Sequence, residues 1–193
     1  MSLLFRNRTI LRRFAVDRNG AAAVEFAFIA PLLLIMFLGV IEASDLLTAN
    51  RRVSNTASAL ADLTTQSTVV YDDDVPILFD AARAVLSPYA GDRLSMVVTS
   101  VRWEEGENAP EVAWSEADGP GASPYSEGGS YDLPDGLIVE GSSVVAVEVD
   151  YAHESAFSKY VLGPMNLDSQ FYLRPRRSLW ISRCEDENDN NCD

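Results

Sequence analysis

Glu25 is the residue in this sequence whose type and position most clearly call for a chemical partner. It is a carboxylate near the start of an apolar stretch, five residues after Gly20. An ionised carboxylate is costly in an apolar environment unless a cation or a polar interface lies beside it. Two interpretations follow: Glu25 pairs with a positive charge inside the membrane, or it lies at the membrane interface and is stabilised by the helix N-terminus.

Cys184 and Cys192 are the only cysteines, and both lie in a polar C-terminal tail. A cysteine pair in an exported domain meets an oxidising compartment, so we predict a disulfide between them. Their spacing excludes a Cys-x-x-Cys redox site. The loop between them holds acidic and amide side chains but lacks the glycine and terminal glutamate of an EF-hand, so we expect no metal site. Its members are Asp186, Asn188, Asp189 and Asn190.

Catalytic motifs of the common enzyme classes are missing from the sequence. Lys159 is the only lysine and no P-loop surrounds it, which disfavours an ATPase. His153 is the only histidine, so neither H-E-x-x-H nor a His-plus-Cys zinc site can be built. We interpret His153 as a polar residue just after a strand, and we expect a protein that is not an enzyme and needs no cofactor.

The charge is distributed unevenly along the chain. The 193 residues carry 15 basic and 29 acidic side chains, a formal net charge of -14. Residues 1–20 hold five arginines and one aspartate, a net +4, so the remaining 173 residues carry -18. An acidic body repels phosphate backbones, so we expect no nucleic-acid partner.

Residues 21–41 predict a transmembrane helix. Eighteen of these 21 residues are apolar, and a helix of this length spans roughly 31 Å, enough to cross a bilayer core. Because the arginines precede it, the positive-inside rule predicts a single-pass inner-membrane protein with residues 1–20 in the cytoplasm and the C-terminal domain in the periplasm. A cleaved secretory signal is disfavoured, because the small residues lie before the apolar run.

The residues around Gly20 resemble a type IV prepilin processing site: a basic leader, a glycine, then Glu25 at the head of an apolar helix. The resemblance extends to TadE-like minor pseudopilins of tight-adherence (Flp-type) pili. It rests on Gly-Ala-Ala-Ala-Val-Glu-Phe-Ala from Gly20, on Ala-Pro-Leu-Leu-Leu from Ala30 and on Gly-Val-Ile-Glu from Gly39.

What the resemblance implies is a processed pilus component. A prepilin peptidase would cut after Gly20, so the mature chain would begin at Ala21. Glu25, followed by the aromatic Phe26, would compensate the N-terminal ammonium of a neighbouring subunit. The implied partners are the prepilin peptidase, the major Flp pilin, other minor pseudopilins and the inner-membrane assembly platform. The alternative is a signal-anchored periplasmic domain, unrelated to pili, that binds a ligand or calcium.

The sequence after residue 41 predicts an α+β fold of the pseudopilin type, in which a small antiparallel sheet packs with one helix. An apolar stripe continues the first helix through residues 42–67, either as one rod or as two helices broken near Glu42. Residues 68–193 are expected to form the exported head, with a helix at 75–87 and strands from residue 94, at 111–115 and at 145–151. Pro175 interrupts a further stretch at 171–181, which predicts either an edge strand or a strand that starts after the proline. A mobile loop is expected at 116–136, which is rich in glycine, proline, serine and acid.

The strand pattern also predicts which side chains share one face of a strand. Val97, Thr99, Val101 and Trp103 alternate along one strand, and Val145, Val147, Val149 and Tyr151 alternate along another.

Overall fold

The computed structural model describes residues 19–155, 163–186 and 192. Its residue contacts divide the chain into two units, residues 1–44 and residues 45–193. The predicted leader, residues 1–20, lies almost wholly outside the described residues, as do Asn188, Asp189 and Asn190 of the C-terminal acidic loop.

Helix α1 runs from Asn19 to Gln66 and contains Pro31 in its interior. It passes Glu42 without interruption, so of the two alternatives left by the sequence, the single helix is correct. In the first unit the large apolar side chains of α1 are exposed, with Phe28 at 79% and Ile35 at 68%.

The C-terminal part of α1 belongs to the second unit and buries one stripe of its surface. The buried positions recur every three or four residues, which places them on one face of the helix. Most are small or β-branched. They are Ala49, Val53, Thr56, Ala57, Leu60, Ala61, Thr64 and Thr65.

The second unit contains a four-stranded antiparallel sheet with strand order β3-β2-β4-β5. A separate parallel pair joins β1 to β6. The α+β fold predicted from the sequence is therefore confirmed. The strands are β1 (Val69–Tyr71), β2 (Leu94–Trp103), β3 (Glu111–Asp118), β4 (Ser142–His153), β5 (Met165–Leu173) and β6 (Ser182–Cys184).

The second helix, α2, runs from Asp74 to Leu86, close to the predicted 75–87. Phe79, Ala82 and Leu86 are its buried face, and a three-residue 3-10 turn at Gly91–Arg93 leads from α2 into β2.

Of the two alternatives for residues 171–181, the edge strand is correct, because β5 lies at the edge of the four-stranded sheet, but the predicted bounds were wrong. The chain forms β5 from Met165 to Leu173 and then β6 from Ser182 to Cys184, and Pro175 lies in the irregular segment between them. Proline cannot donate to a strand ladder, so the strand ends before it.

The grouping of side chains by face agrees with the structure: the unbroken pairing of β2 with β4 keeps Val97, Thr99, Val101 and Trp103 on one face of β2. All four residues grouped on β4 lie in the main core, which the two helices cover. On β2 the main core receives Leu94, Met96 and Val98. Val101 packs into a second cluster with Tyr131, Ile138 and Val144. An apolar alternation identifies the buried face only when one face is buried, and here parts of both faces are covered.

Residues 116–136, predicted as a mobile loop, begin inside β3, which extends to Asp118. Tyr131 is buried in the second cluster, and its hydroxyl donates to Glu148 at 2.5 Å. The Tyr125 hydroxyl donates to the same carboxylate at 3.0 Å. Burial together with the Glu148 hydrogen bond raises the pKa of Tyr131 well above its usual value. Two tyrosines thus tie this glycine-rich segment to the sheet.

Candidate functional site

Gly20, Ala21, Glu25 and Phe26 lie in the first two turns of α1 and are all exposed. Glu25 is the only charged side chain between residues 20 and 41. A carboxylate at this position has no bulk water once the helix enters a membrane, so its stability depends on what lies beside it. The geometry places the carboxylate one helical turn from Ala21, on a surface that is otherwise apolar.

Gly20 lies in open space: a Cβ built on it meets no atom within 4 Å, and the same holds for Gly39 in the same helix. Packing within the chain therefore does not require glycine at either position. Glycine within a helix costs roughly 1 kcal/mol relative to alanine, because it loses more backbone freedom. A glycine near the helix start makes local unwinding easier, and a protease must bind its substrate in an extended form.

Among the described residues, α1 is the one helix that is long and apolar enough to cross a membrane, and none of its most apolar window is buried in the chain. A helix of a soluble domain would bury one face against its own core. The exposed apolar surface of the first unit is therefore consistent with a single-pass membrane anchor.

Residues 20–62 match the model of the TadE-like protein family. This match confirms the resemblance drawn from the sequence, and the matched residues, here called the TadE-like segment, lie entirely within α1. The segment contains Gly20, Glu25 and much of the stripe that packs under the sheet. Comparisons with curated proteins and with solved structures find no match.

The TadE-like segment also supplies Asp45, which contacts two distant parts of the second unit. The Tyr89 hydroxyl donates to the Asp45 carboxylate at 2.9 Å. His153 Nε2 lies 3.3 Å from the other carboxylate oxygen of Asp45. The imidazole is 2% exposed, and neither ring nitrogen has a hydrogen-bond partner among the described residues. His153 is thus the last residue of β4 and is buried, where the sequence suggested only a polar residue beyond a strand.

The pKa of Tyr89 is raised to about 12, mainly by burial. The hydrogen bond to Asp45 and the negative charge of Asp45 raise the pKa further. The sequence did not reveal this cluster, because Asp45, Tyr89 and His153 come from a helix, a loop and a strand end. Only the solitary histidine was a visible signal.

Cys184 and Cys192 form the predicted disulfide, with Cα atoms 4.6 Å apart. The bond ties the C-terminal tail to β6. Next to it, Arg183 forms ion pairs with Asp72 and with Glu116, the latter at 2.8 Å. Burial lowers the pKa of the Arg183 guanidinium, but the hydrogen bonds to both carboxylates outweigh burial, so the pKa lies above its usual value. These contacts join β6 to β3 and to the turn after β1.

The outer face of the sheet carries an acidic groove of about 670 Å³, whose lining includes Glu148, Asp150 and Arg93. Asp150 lies directly opposite Asp168 on the neighbouring strand. Burial raises the pKa of Asp150, and the charges of Asp168 and Glu148 raise it further. Within the part of the chain that the structure describes, no group of three or more His, Cys, Asp or Glu side chains is placed to hold a metal ion.

Proposed function

We propose that this chain is a minor pseudopilin that takes part in the assembly, initiation or capping of tight-adherence (Flp) pili, and that it acts without catalysing a reaction. One observation carries the proposal. Glu25 is the single charge between residues 20 and 41, in the exposed apolar part of α1, five residues after Gly20 and within the TadE-like segment.

The proposed processing step removes residues 1–20. A prepilin peptidase cleaves the peptide bond after Gly20 on the cytoplasmic side, which leaves a new ammonium group at Ala21. The peptidase gains access to an extended backbone because glycine weakens the start of α1. The rest of the helix stays in the membrane, and the chain keeps its anchor.

The new ammonium group and Glu25 then have complementary charges. In a bundle of related helices, the ammonium of one subunit lies beside Glu25 of its neighbour. Each charge alone is unfavourable in a low-dielectric environment, and pairing offsets the cost of both. A pairing that works at only one relative height of the two helices sets their axial register. The partners on this proposal are the major Flp pilin, other minor pseudopilins and the assembly platform.

The distribution of charge supports the proposed topology. The leader carries a net +4, and the rest of the chain carries -18. Positive charge is retained in the cytoplasm, so the anchor would cross the inner membrane with its N-terminus inside. The disulfide in the second unit suits the periplasm, where such bonds persist.

N-terminal sequencing of the chain purified from cells with and without the prepilin peptidase tests the processing step. We expect Ala21 as the first residue when the peptidase is present, and an intact leader when it is absent. Gly20→Ala should block or slow processing, whereas the matched variant Gly39→Ala should be processed normally, because neither position has a packing neighbour. A mature chain that begins at any residue other than Ala21 would contradict the proposed processing step.

Charge pairing is tested by separating processing from assembly. Glu25→Ala should be processed after Gly20 but should reduce the number of pili per cell, counted by electron microscopy. Glu25→Asp retains the charge and should restore part of the piliation. Full piliation by Glu25→Ala would contradict the pairing role while leaving the processing step intact.

The alternative, an anchored periplasmic domain that binds a ligand or calcium, predicts different results. Its leader would remain uncut in cells that contain the peptidase. Calcium would also raise the unfolding midpoint of the second unit. On this alternative, the carboxylates that line the groove around Asp150 would be the calcium ligands. Processing at Ala21 without a calcium effect would decide in favour of the pseudopilin.

A further inference from the structure

Leu179 and Trp180 are two large apolar side chains that the fold holds in solvent. They are 66% and 42% exposed. Their backbone is fixed on both sides by buried donors: Ser143 Oγ donates to the Leu179 carbonyl at 2.7 Å, and Trp114 Nε1 donates to the Ile181 carbonyl at 2.7 Å. Both donor residues are 2% exposed. The pair is therefore presented by a rigid part of the second unit, so a partner that binds it would not have to order this segment.

A cleft of about 450 Å³ opens beside this pair, and Trp103 and Gly141 form part of its wall. The Trp103 indole is oriented by a hydrogen bond from Nε1 to the Glu107 carbonyl at 2.9 Å. The Arg102 guanidinium carbon lies 6.0 Å from the centre of the Trp180 ring. Tryptophan and arginine are the residues most enriched at the energetic centres of protein interfaces. We call this feature the Trp180 cleft, and it consists of Arg102, Trp103, Glu104, Glu105, Gly141, Leu179 and Trp180.

The rim of the Trp180 cleft is acidic. Glu104 and Glu105 line it, and Glu140 lies next to it, where its carboxylate accepts a hydrogen bond from the Gly106 amide at 2.6 Å. The single cation, Arg102, is already paired with Glu104 at 3.0 Å. A complementary partner must therefore bring positive charge together with apolar surface.

The Trp180 cleft lies at the end of the sheet farthest from Asp45. In the β2–β4 pair, Leu94 opposes Tyr151 near the Asp45 cluster, and Trp103 opposes Ser142 at the other end. Nine steps along a strand span about 30 Å. The cleft is thus separated from the Asp45 cluster by most of the length of the sheet.

We propose that the Trp180 cleft is a docking site for a segment of another exported protein, in which an apolar or aromatic side chain is flanked by arginine or lysine. The apolar side chain packs between Leu179, Trp180 and Trp103, and the flanking cations meet Glu105 and Glu140, because Glu104 is already paired with Arg102. A second copy of this acidic chain and an anionic lipid surface both have the wrong charge. Binding at this docking site does not require processing at Gly20. An experiment can therefore contradict one of the two proposals and leave the other intact.

Selection from a random dodecamer peptide library displayed on phage tests the docking site, with the full chain held in nanodiscs as the target. We expect enriched peptides that combine leucine or an aromatic residue with adjacent arginine or lysine. Trp180→Ala should weaken the binding of these peptides at least tenfold. Ile77→Ala removes an apolar side chain that is 65% exposed on α2 and should leave binding unchanged.

A second variant tests the role of charge. Glu105→Gln combined with Glu140→Gln should weaken binding and reduce its sensitivity to salt, because rim charges act through screened electrostatics. The double variant keeps Trp103 and Trp180. It therefore still tests the docking site if the Trp180→Ala protein fails to fold. Enrichment of acidic peptides, binding that Trp180→Ala leaves unchanged, or no enrichment over empty nanodiscs would overturn the proposal.

Discussion

Replacement of Tyr89 by phenylalanine should lower the stability of the second unit and change how that stability depends on pH. The substitution removes only the hydroxyl that donates to the Asp45 carboxylate at 2.9 Å and to the Asp45 carbonyl at 3.2 Å. The ring stays in edge contact with Tyr151 and His153. A hydrogen bond to a charged acceptor contributes about 1.5–3 kcal/mol, so we expect Tyr89→Phe to cost about 2 kcal/mol at neutral pH.

The effect of pH follows from the raised pKa of Tyr89, which is about 12 in the folded chain against a usual 10.0. Below pH 10 the hydroxyl is neutral in both states, and its contribution to stability is fully present. Between pH 10 and about 12 the unfolded chain loses the proton while the folded chain retains it, so stability falls as pH rises. The advantage of the native chain over Tyr89→Phe should therefore shrink across this window.

Urea unfolding of the full chain in detergent micelles, followed by tryptophan fluorescence, measures this difference. All three tryptophans, Trp103, Trp114 and Trp180, lie in the second unit and so report on its unfolding. Tyr172→Phe is a suitable control, because its hydroxyl donates to an exposed neutral amide, that of Gln170. The reasoning is refuted if both variants cost the same at neutral pH, or if the Tyr89→Phe difference stays constant up to about pH 11.5.

Three further changes test how the second unit is held together, each by the same urea assay. Leu60→Ala removes a fully buried side chain from the α1 stripe and should cost about 3 kcal/mol; a loss no larger than that of the exposed-site variant Ile77→Ala would contradict this packing. Arg183→Met keeps the length of the side chain but leaves its two carboxylate partners unpaired, so we expect a loss of about 2 kcal/mol that shrinks in high salt; a salt-independent loss would argue against the ion pairs. Cys184→Ser should lower stability by roughly 2–3 kcal/mol by opening the loop to Cys192, and a reducing agent should then have no additional effect on the variant.

Several elements were predictable because their signals are local. The prediction of a membrane-spanning helix follows from a run with 18 apolar residues in 21, and the shared face of β4 follows from strict alternation at Val145, Val147, Val149 and Tyr151. Helix α2 was visible in its apolar periodicity. The disulfide needed no geometry, because the sequence contains only two cysteines.

Other features lay beyond sequence reasoning because they depend on distant residues. The apolar alternation of β2 did not say which face is buried; the helices cover Met96, and the segment that contains Tyr131 covers Val101 on the opposite side. The composition of residues 116–136 predicted a mobile loop and gave no sign of the two tyrosine hydroxyls that reach Glu148 on β4. The composition of a segment tells how many apolar side chains it has. It does not tell whether distant parts of the chain bury those side chains.

The first 41 residues contain the basic leader, Gly20, Glu25 and the apolar run. Their charge and hydrophobicity can be interpreted without knowledge of the fold. That is why the membrane anchor and the proposed processing site follow from sequence alone. Other features needed residues far apart in the chain to be brought together by the sheet. Asp45 meets Tyr89 and His153 across three elements, and the exposed pair Leu179 and Trp180 lies where Ser143 bonds the Leu179 carbonyl and Trp114 bonds that of Ile181. Contacts of this kind depend on strand order and register, which no local pattern contains.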